Sequence, residues 1–354
     1  MGCDAASSKI VNTIGEKKSF IVGDIGGTNL RLAMISGNKM MHSKYFVTRE
    51  HPTLITAIKL FVQEYNITGI QGCCLAMAGP VDGDACTLTN ENQAYQYSAK
   101  EFAAKLGYDT IFINDFQAIG WWIISRFVSP ESIKVIVNND VHTGAKLYLG
   151  AGTGLGVGYV IGSKVYPCEG GHLRFSPACE IEFELVEFLK TKLCIQHVSY
   201  ERLVSGSGIA FIAEFFLQKS MQELHDYVGF GPSDGAVSDF LALPDDVYER
   251  PAYVSVQSKH NEAAMMIMGI FFNFYGRAIS DLCVAMLPSE IFIAGGIMAK
   301  NIHLVEQKDV CRMFMEGLND KGRLSHVVTN RKISVIMEEN IGLFGCAECI
   351  MKFE

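Results

Sequence analysis

A carboxylate at the end of an apolar segment is the first residue of this chain with a type and position suited to catalysis. Asp115 follows Asn114 and the apolar residues 111–113, and β-branched and aromatic residues favour a strand here. Open α/β sheets bind ligands at the carboxyl ends of their strands, so Asp115 is a candidate catalytic base. Residues 118–125 predict a helix, whose N-terminus would keep the carboxylate ionised. The alternative is that Asp115 only caps this helix.

Two glycine-rich turns are candidate phosphate-binding segments. The first is Asp24-Ile-Gly-Gly-Thr-Asn-Leu and the second is Gly150-Ala-Gly-Thr-Gly-Leu. Glycines let backbone N–H groups approach phosphate oxygens closely, and the threonine hydroxyl adds a donor. Each turn alone is more typical of an ordinary hairpin tip than of a phosphate-binding segment. Neither turn matches the P-loop or the dinucleotide fingerprint. Only the two turns together favour a triphosphate group bound from two sides.

The two turns belong to a repeated pattern of three strands. The first copy covers residues 20–47 and the second covers residues 146–166, with Gly37-Asn-Lys matching Gly162-Ser-Lys in the next turn. Two similar units about 125 residues apart suggest a duplicated domain with a cleft between the copies. Strands alternate with helices along the rest of the chain, which predicts an α/β fold.

Hydrophobic periodicity, together with turn and capping residues, predicts the remaining helices and strands. Ser98 is a predicted N-cap with Glu101 at the third helical position. Residues 226–257 are polar and contain three prolines, which predicts an irregular surface segment. Further helices are predicted at 52–65, 180–193, 261–287, 298–319 and 341–351, and further strands at 70–77, 290–294 and 332–337.

Composition limits the class of protein. The chain has 354 residues, of which 49% are hydrophobic and 19% charged, which suits a globular protein of two domains. The net charge is -8 and Lys and Arg never cluster beyond a pair. This argues against a nucleic-acid surface and against a polybasic membrane patch.

Cysteine usage and the termini point to a cytoplasmic protein. The 11 cysteines are scattered, several within apolar segments, which predicts reduced thiols. Cys346-Ala-Glu-Cys349 has a metal or redox spacing but no second pair, so core packing is favoured. Residues 1–18 have no apolar signal segment and are expected to be a flexible extension, with an incomplete lipidation motif at Met1-Gly2-Cys3. No membrane span is expected, since the longest apolar stretch, 263–275, is too short.

Six motifs, taken together in this order, carry a family resemblance. They are Gly23-Asp-Ile-Gly-Gly-Thr-Asn-Leu-Arg-Leu-Ala, Ile113-Asn-Asp-Phe, Gly150-Ala-Gly-Thr-Gly-Leu-Gly, Glu169-Gly-Gly-His172, Glu201-Arg-Leu-Val-Ser-Gly-Ser-Gly and Phe292-Ile-Ala-Gly-Gly-Ile. This set resembles the bacterial-type glucokinases, a family also found in protists, within the actin-like sugar-kinase and Hsp70 superfamily. The resemblance runs from about Ser19 to the C-terminus.

The resemblance implies an architecture and an activity. The expected fold is α/β, with two ribonuclease-H-like, actin-like ATPase domains and a ligand cleft between them. The smaller domain would hold residues 19–125 and 338–354, and the larger domain residues 126–337. The expected reaction is ATP-dependent phosphorylation of the 6-hydroxyl of D-glucose, with Mg²⁺ as cofactor, in a homodimer.

The resemblance also implies roles for individual residues. Asp115 would be the general base, and Asp24 would orient Mg²⁺ through water. The sugar-binding residues would be Asn90, Asn114, Asp115, Glu169, His172 and Glu201. The nucleotide-binding residues would be Asp24, Gly26, Gly27, Thr28, Asn29, Gly152, Thr153, Gly154, Gly206, Ser207, Gly295 and Gly296.

Two other functions stay open at this point. One is a kinase of another hexose or of an N-acetylated sugar, and the other is a non-catalytic sugar sensor on the same fold. The chain departs from the family pattern at Cys168, where a glycine commonly precedes the glutamate, and in a longer turn at Ala78-Gly79-Pro80. A sensor would be expected to lack the base or to carry an added helix-turn-helix, and the sequence shows neither.

Overall fold

Two units, each built on its own β-sheet, make up the computed structural model of this chain. The structure describes residues 18–26, 29–47, 53–88, 96–140, 143–229, 244, 246 and 249–353. The first unit holds the described residues up to Ala118 and those from Gly342 onward, and the second unit is Ile119–Ile341.

The first unit has a five-stranded sheet in the order β3-β2-β1-β4-β8. Its strands are β1 (Ser19–Ile25), β2 (Asn29–Ser36), β3 (Lys39–Val47), β4 (Ile70–Met77) and β8 (Asp109–Asn114). β1 pairs antiparallel with β2, whereas β1, β4 and β8 run parallel. Parallel strands end at the same edge of a sheet, so Asp24 near the end of β1 and Asn114 at the end of β8 lie at that edge.

Capping residues define the helices of the first unit. The helices are α1 (Leu54–Glu64), α2 (Ala99–Leu106) and α3 (Asp115–Ile123), the last of which continues into the second unit. The predicted N-cap Ser98 is confirmed, since its hydroxyl accepts the N–H of Glu101 at 3.3 Å. Gly107 ends α2 at a φ of 86°, a conformation that glycine adopts without strain.

A small antiparallel sheet was not predicted and comprises β5 (Val81–Asp82), β6 (Ala85–Thr87) and β7 (Gln96–Ser98).

The second unit has a six-stranded sheet in the order β12-β11-β10-β13-β14-β9. Its strands are β9 (Ile133–Val137), β10 (Lys146–Ala151), β11 (Leu155–Ile161), β12 (Lys164–Cys168), β13 (Glu290–Ala294) and β14 (Lys332–Ile336). β10, β11 and β12 form an antiparallel meander, as β1, β2 and β3 do, and β10 runs parallel with β13. The repeated meander predicted from the two glycine turns is therefore confirmed. β9 was not predicted.

The helices of the second unit enclose one long apolar helix. They are α4 (Glu180–Leu193), α5 (Gly206–Phe216), α6 (Met221–Val228), α7 (Arg250–Gln257), α8 (Glu262–Met286), α9 (Gly296–Lys300), α10 (Ile302–Val305), α11 (Lys308–Asn319) and α12 (His326–Thr329). In the described part of the chain α8 alone is long and apolar enough to cross a membrane, and 89% of its most apolar window is buried within the protein. α5, α7 and α11 pack against α8, so the buried helix expected here is confirmed.

The prediction of one helix over 298–319 is wrong. The segment forms α9, α10 and α11, and the first break falls at Asn301. The buried side chain of Asn301 accepts the hydroxyl of Ser255 at 2.7 Å and donates to the carbonyl of Ile297 at 2.9 Å. An asparagine that bonds to backbone and to a neighbouring helix competes with the helical ladder, and that ends α9.

The prediction of an irregular segment over 226–257 is wrong at both ends. α6 extends to Val228, and Arg250–Gln257 form α7, with Pro251 in its first turn, where proline is tolerated. Val254 is fully buried, so α7 belongs to the core of the second unit. Most of the residues between these helices lie outside the described part of the chain.

The last helix, α13 (Ile341–Phe353), returns to the first unit. Cys346 and Cys349 are buried in it, and the Sγ of Cys346 donates to the carbonyl of Gly23 at 3.6 Å. Burial raises the pKa of the Cys346 thiol, so it stays protonated. The expected core-packing role of the two cysteines is confirmed.

Candidate active site

The helix that begins at Asp115 is capped by the preceding asparagine. The Oδ1 of Asn114 accepts the N–H groups of Phe116 at 2.9 Å and Gln117 at 3.3 Å. Its Nδ2 donates to the carbonyl of Gly79 at 3.0 Å, which fixes the amide. Asn114 thus satisfies two of the free N–H groups at the start of α3, which is the capping task considered for Asp115. Asp115 accepts the N–H of Phe116 through Oδ1 at 2.9 Å and remains exposed.

Asp24 forms an electrostatic pair with Asp115 in the first unit. The side chain of Asp24 keeps solvent-exposed area, but protein atoms surround its other sides. Desolvation, followed by the negative charge of Asp115, raises the pKa of Asp24 to about 6, while Arg31 lowers it. Desolvation by the protein atoms around it also raises the pKa of Asp115, although its side chain keeps exposed area, and the Phe116 N–H opposes this rise. Two carboxylates that repel one another in this way favour a bound cation between or near them.

The described residues contain no group of three or more His, Cys, Asp or Glu side chains arranged to hold a metal ion. Asp24 and Asp115 are two carboxylates of the first unit whose negative charges repel one another, which would suit a cation. Mg²⁺ in kinases is bound through one or two carboxylates, with phosphate oxygens and water completing its shell. The side chains present fit that arrangement and do not fit a cage built wholly from protein.

Three glycine-bearing segments meet in the second unit. The N–H of Gly152 donates to the carbonyl of Gly154 at 2.8 Å, which closes the hairpin between β10 and β11. The carbonyl of Gly152 accepts the N–H of Gly206 at 2.8 Å, so this hairpin contacts the start of α5. Ser205 caps α5 by accepting the N–H of Gly208 at 3.2 Å. The predicted residues Gly152, Thr153, Gly154, Gly206 and Ser207 are thus brought together.

The third segment is the turn after β13. Gly295 has a φ of 88°, and a Cβ on it would lie 2.5 Å from the carbonyl oxygen of Ala151. Only glycine allows this approach, which brings Gly295 and Gly296 beside the hairpin that starts at Gly152. The buried Tyr275 supports the same place, since its hydroxyl accepts the N–H of Ala151 at 3.1 Å. Glycine turns at strand ends and a helix N-terminus are places where backbone N–H groups can approach phosphate oxygens.

The first glycine turn is described only in part. The N–H of Gly26 donates to the carbonyl of Asn29 at 2.9 Å, which closes the turn between β1 and β2. Gly27, Thr28 and Asn90 lie outside the described residues. Their predicted contacts with nucleotide and sugar therefore stay predictions.

Glu169, His172 and Glu201 lie around the start of β11. The Oε2 of Glu201 accepts the N–H of Leu155 at 3.0 Å. Gly171 packs on the same residue, because a Cβ on Gly171 would lie 2.0 Å from the carbonyl of Leu155. The side chain of Glu169 is 91% exposed, and its Oε2 lies 3.8 Å from the Nε2 of His172. The predicted sugar-binding residues of the second unit thus lie on two segments that share one support.

Those two segments are also joined directly. The N–H of Tyr200 donates to the carbonyl of Leu173 at 2.9 Å, and the N–H of Phe175 donates to that of Val198 at 2.9 Å. The Nε2 of His197 bonds to the carbonyl of His172 at 2.8 Å, which requires the tautomer with a proton on Nε2. Sequence reasoning missed His197 and Tyr200, because no spacing pattern relates them to the segment at 169–175.

Solved structures of glucokinases superpose on most of this chain. The glucokinase from an Antarctic psychrotroph superposes with a TM-score of 0.74 at 23% identity, covering 95% of this chain and 99% of that one. The glucokinase from Balamuthia mandrillaris, solved in complex with glucose, gives 0.73 at 20% identity, covering 95% and 94%. The fold is therefore the α/β fold of the actin-like sugar kinases, as the motifs predicted.

Sequence similarity narrows this class to one family. A family model described as Glucokinase matches residues 21–353. The glucokinase of a Synechocystis species is 31% identical over 354 residues, covering 94% of this chain and 97% of its own. That of a Nostoc species is 30% identical, covering 93% and 98%. The chain belongs to the glucokinase family and is a kinase, and the resemblance carried by the six motifs is confirmed.

Proposed function

We propose that this kinase transfers the γ-phosphoryl group of ATP to the 6-hydroxyl of D-glucose and that Asp115 is its general base. The single observation that carries the role of Asp115 is that Asn114 caps α3 in its place. Asp115 shares the N–H of Phe116 with Asn114, and its exposed carboxylate at the carboxyl edge of the sheet keeps lone pairs with which to accept a proton from a ligand. In this proposal the two units correspond to the smaller domain, expected at 19–125 and 338–354, and to the larger domain, expected at 126–337.

The proposed reaction balances as one proton transfer and one phosphoryl transfer. The 6-hydroxyl oxygen forms a bond to the γ-phosphorus while the bond between that phosphorus and the β,γ-bridging oxygen breaks, which leaves ADP. The carboxylate of Asp115 takes the hydroxyl proton and later releases it to water. Positioning and N–H donors around the phosphates supply the remaining catalysis, since phosphoryl transfer needs little covalent work from the protein.

The proposed sugar-binding side chains are those expected from the family resemblance: Asn90, Asn114, Asp115, Glu169, His172 and Glu201. Carboxylates, amides and a histidine suit sugar hydroxyls, because each bonds in a fixed direction. A sugar that lacks the matching hydroxyl would leave these polar groups unpaired, which gives selectivity.

The proposed nucleotide-binding residues are Asp24, Gly26, Gly27, Thr28, Asn29, Gly152, Thr153, Gly154, Gly206, Ser207, Gly295 and Gly296. The contacts among the hairpin, the start of α5 and the turn at Gly295 support this assignment for the second unit. Asp24 would orient Mg²⁺ through water, supported by its mutual repulsion with Asp115. Bound Mg²⁺ would neutralise phosphate charge.

The proposed activity is tested by measuring ADP formation with a panel of hexoses and N-acetylated hexosamines. Glucose 6-phosphate formed fastest from glucose would support the proposal. Faster turnover of another sugar would identify a kinase of that sugar, and sugar binding without turnover would identify a sensor. The panel therefore separates the three readings of the site.

The two glutamates of the second unit are expected to affect glucose more than ATP. Glu201→Ala and Glu169→Ala should each raise the glucose KM by a factor that corresponds to roughly 1–3 kcal/mol, the cost of leaving hydrogen-bonded polar groups unpaired. The ATP KM should stay within about twofold. Glu187→Ala is the matched control, because Glu187 is exposed on α4 and paired only with Lys190 among its described ion pairs. A larger change in the ATP KM than in the glucose KM would contradict the assignment.

The paired carboxylates predict a loss of activity at acid pH. Asp24 has a pKa of about 6, so its ionised fraction falls as the pH drops through that value. kcat/KM reports the free enzyme and should fall over the same range. Arg31 lowers the pKa of Asp24, and Arg31→Met should therefore move the acid limb to higher pH. Arg323→Met, at an exposed arginine of the second unit, is the control. An acid limb that Arg31→Met leaves in place would refute this assignment.

We further propose that the chain forms a homodimer and that it works in the cytoplasm. There it would catalyse the first step of glycolysis. The ten described cysteines are all free thiols, which fits a reducing compartment. Analytical ultracentrifugation of the purified chain tests the dimer, and fractionation of the source cells tests the compartment.

A further inference from the structure

A buried tyrosine connects the two segments that carry the proposed sugar ligands. Tyr200 directly precedes Glu201, and its N–H donates to the carbonyl of Leu173, the residue after His172. Its own carbonyl accepts the N–H groups of Leu203 at 2.9 Å and Val204 at 2.7 Å, which closes the turn that bears Glu201. The backbone of one residue thus fixes both segments.

The side chain of Tyr200 is anchored at its far end. Its hydroxyl donates to the Oδ2 of Asp281 on α8 at 2.6 Å. The Oδ1 of Asp281 lies 2.8 Å from the Nζ of Lys321, so the carboxylate is held on both oxygens. The negative charge of Asp281 helps to raise the pKa of Tyr200 above its ordinary value, after the larger effect of burial, so the hydroxyl stays a donor. A hydrogen bond to a charged group is stronger and more directional than one between neutral groups.

The ring of Tyr200 is held from the side as well. Phe175 meets it edge to face with ring centroids 5.6 Å apart, and the Arg277 guanidinium lies 4.9 Å from the Phe175 ring centroid. Arg277 also donates to the carbonyl of Ser176, so the segment after His172 is tied to α8 by a second link. The bond of the Tyr200 hydroxyl to α8 therefore fixes both proposed sugar-binding segments relative to that helix.

We infer that Tyr200, held by Asp281 and Lys321, is a positioning residue that sets the affinity for the sugar by orienting Glu201 and the turn at His172. This inference rests on the proposed function, because it assumes that Glu201 and His172 contact the sugar. Tyr200 itself lies too deep to touch a ligand, with 2% of its surface exposed. Its effect is expected on the sugar and not on the nucleotide, since the Gly152 hairpin is supported separately by Tyr275.

The test removes one oxygen atom and compares two substrates. Tyr200→Phe keeps the ring and its contact with Phe175 but leaves Asp281 without that donor. The glucose KM is expected to rise roughly 3- to 10-fold, the range for one hydrogen bond, while the ATP KM stays within about twofold. The readout that a merely structural role would not move is this difference between the two KM values.

A second tyrosine supplies the matched control. Tyr227 is a partly buried tyrosine of the second unit whose hydroxyl also donates to a carboxylate, that of Glu182, at 2.9 Å. Glu182 keeps its bonds to Arg277 at 2.8 and 2.9 Å without Tyr227, so the loss stays local. Tyr227→Phe should lower the melting temperature by about as much as Tyr200→Phe does, because each loses one hydrogen bond to a carboxylate. It should leave the glucose KM unchanged. Equal effects of the two variants on glucose KM would overturn the inference.

Two further variants separate this inference from the proposed function. Asp281→Asn keeps an oxygen that accepts from Tyr200 and should give a smaller rise in glucose KM than Tyr200→Phe, and the double variant should be less than additive. Full additivity would overturn the inference. Glu201→Ala in the same series tests the sugar assignment itself. If Glu201→Ala raises the glucose KM and Tyr200→Phe does not, the inference fails and the proposed function stands; if Glu201→Ala has no effect, both fail.

Discussion

Asp115→Asn is expected to lower kcat by roughly 10²- to 10⁴-fold, the range found on removing a general base. The amide has the same shape as the carboxylate but does not take the proton of the sugar hydroxyl at neutral pH. Its oxygen keeps the bond that Oδ1 now accepts from the N–H of Phe116. The cap of α3 also survives, because Asn114 provides it. The variant should therefore fold and bind glucose as the parent does.

The control for this variant lies on the same strand. Asp109 is exposed at the opposite end of β8, away from the edge that carries Asp115. Asp109→Asn removes an equal charge from the same unit and should leave kcat unchanged. The measurements are kcat, the glucose KM and the melting temperature of both variants. A folded Asp115→Asn enzyme with near-normal turnover would remove Asp115 from the proposed mechanism.

Elements with strong local signals were predictable from the sequence. The strands 70–77 and 290–294 and the helix 180–193 have the predicted limits. The two strands are largely apolar, and the helix alternates apolar and charged residues, so local preference and tertiary packing agree. The repeated meander was predictable for the same reason, since its glycine turns recur in order.

The errors occur where a distant residue decides the local structure. Asn301 breaks the predicted helix 298–319 because it bonds to Ser255, which lies 46 positions earlier in the chain. Val254 makes α7 a core helix although its surroundings in sequence are polar. A window of neighbouring residues shows neither the bond between Asn301 and Ser255 nor the burial of Val254. Side-chain bonds compete with the helical backbone bonds only once the fold brings the two groups together.

The candidate site shows the same division. The motifs predicted Asp115, Glu169, His172 and Glu201 as site residues. The spacing of the glycines predicted where the backbone would approach a ligand. The sequence left open whether Asp115 caps α3, and only the geometry of Asn114 answers this. The supports of Glu201, such as Asp281 on α8, are 80 positions away and belong to no motif.

The second large effect is expected from a glycine far from Asp115 in sequence. Gly345 of α13 packs on α3, and a Cβ on it would lie 1.9 Å from the carbonyl oxygen of Ala118. Ala118 is in the first turn after Asp115, so a displaced helix would carry the base with it. Gly345→Ala should cost about 1–3 kcal/mol in unfolding free energy, the usual penalty for overpacking a well-packed core. A shift of about 1 Å in the base should lower kcat on the order of 10²-fold.

The matched control inserts a methyl group against the same helix at a more yielding place. A Cβ on Gly72 of β4 would lie 2.8 Å from the Cδ1 of Ile350, the end of a side chain of α13, and 3.3 Å from the carbonyl oxygen of Asp109, a looser backbone contact than the 1.9 Å at Gly345. Ile350 can turn away, so Gly72→Ala should leave α3 in place and keep kcat near the parent value. Chemical denaturation and steady-state kinetics of both variants measure the two effects. If Gly345→Ala loses stability but keeps kcat, the contact with Ala118 does not set the position of Asp115, because a base displaced with α3 would lose the in-line geometry that phosphoryl transfer requires.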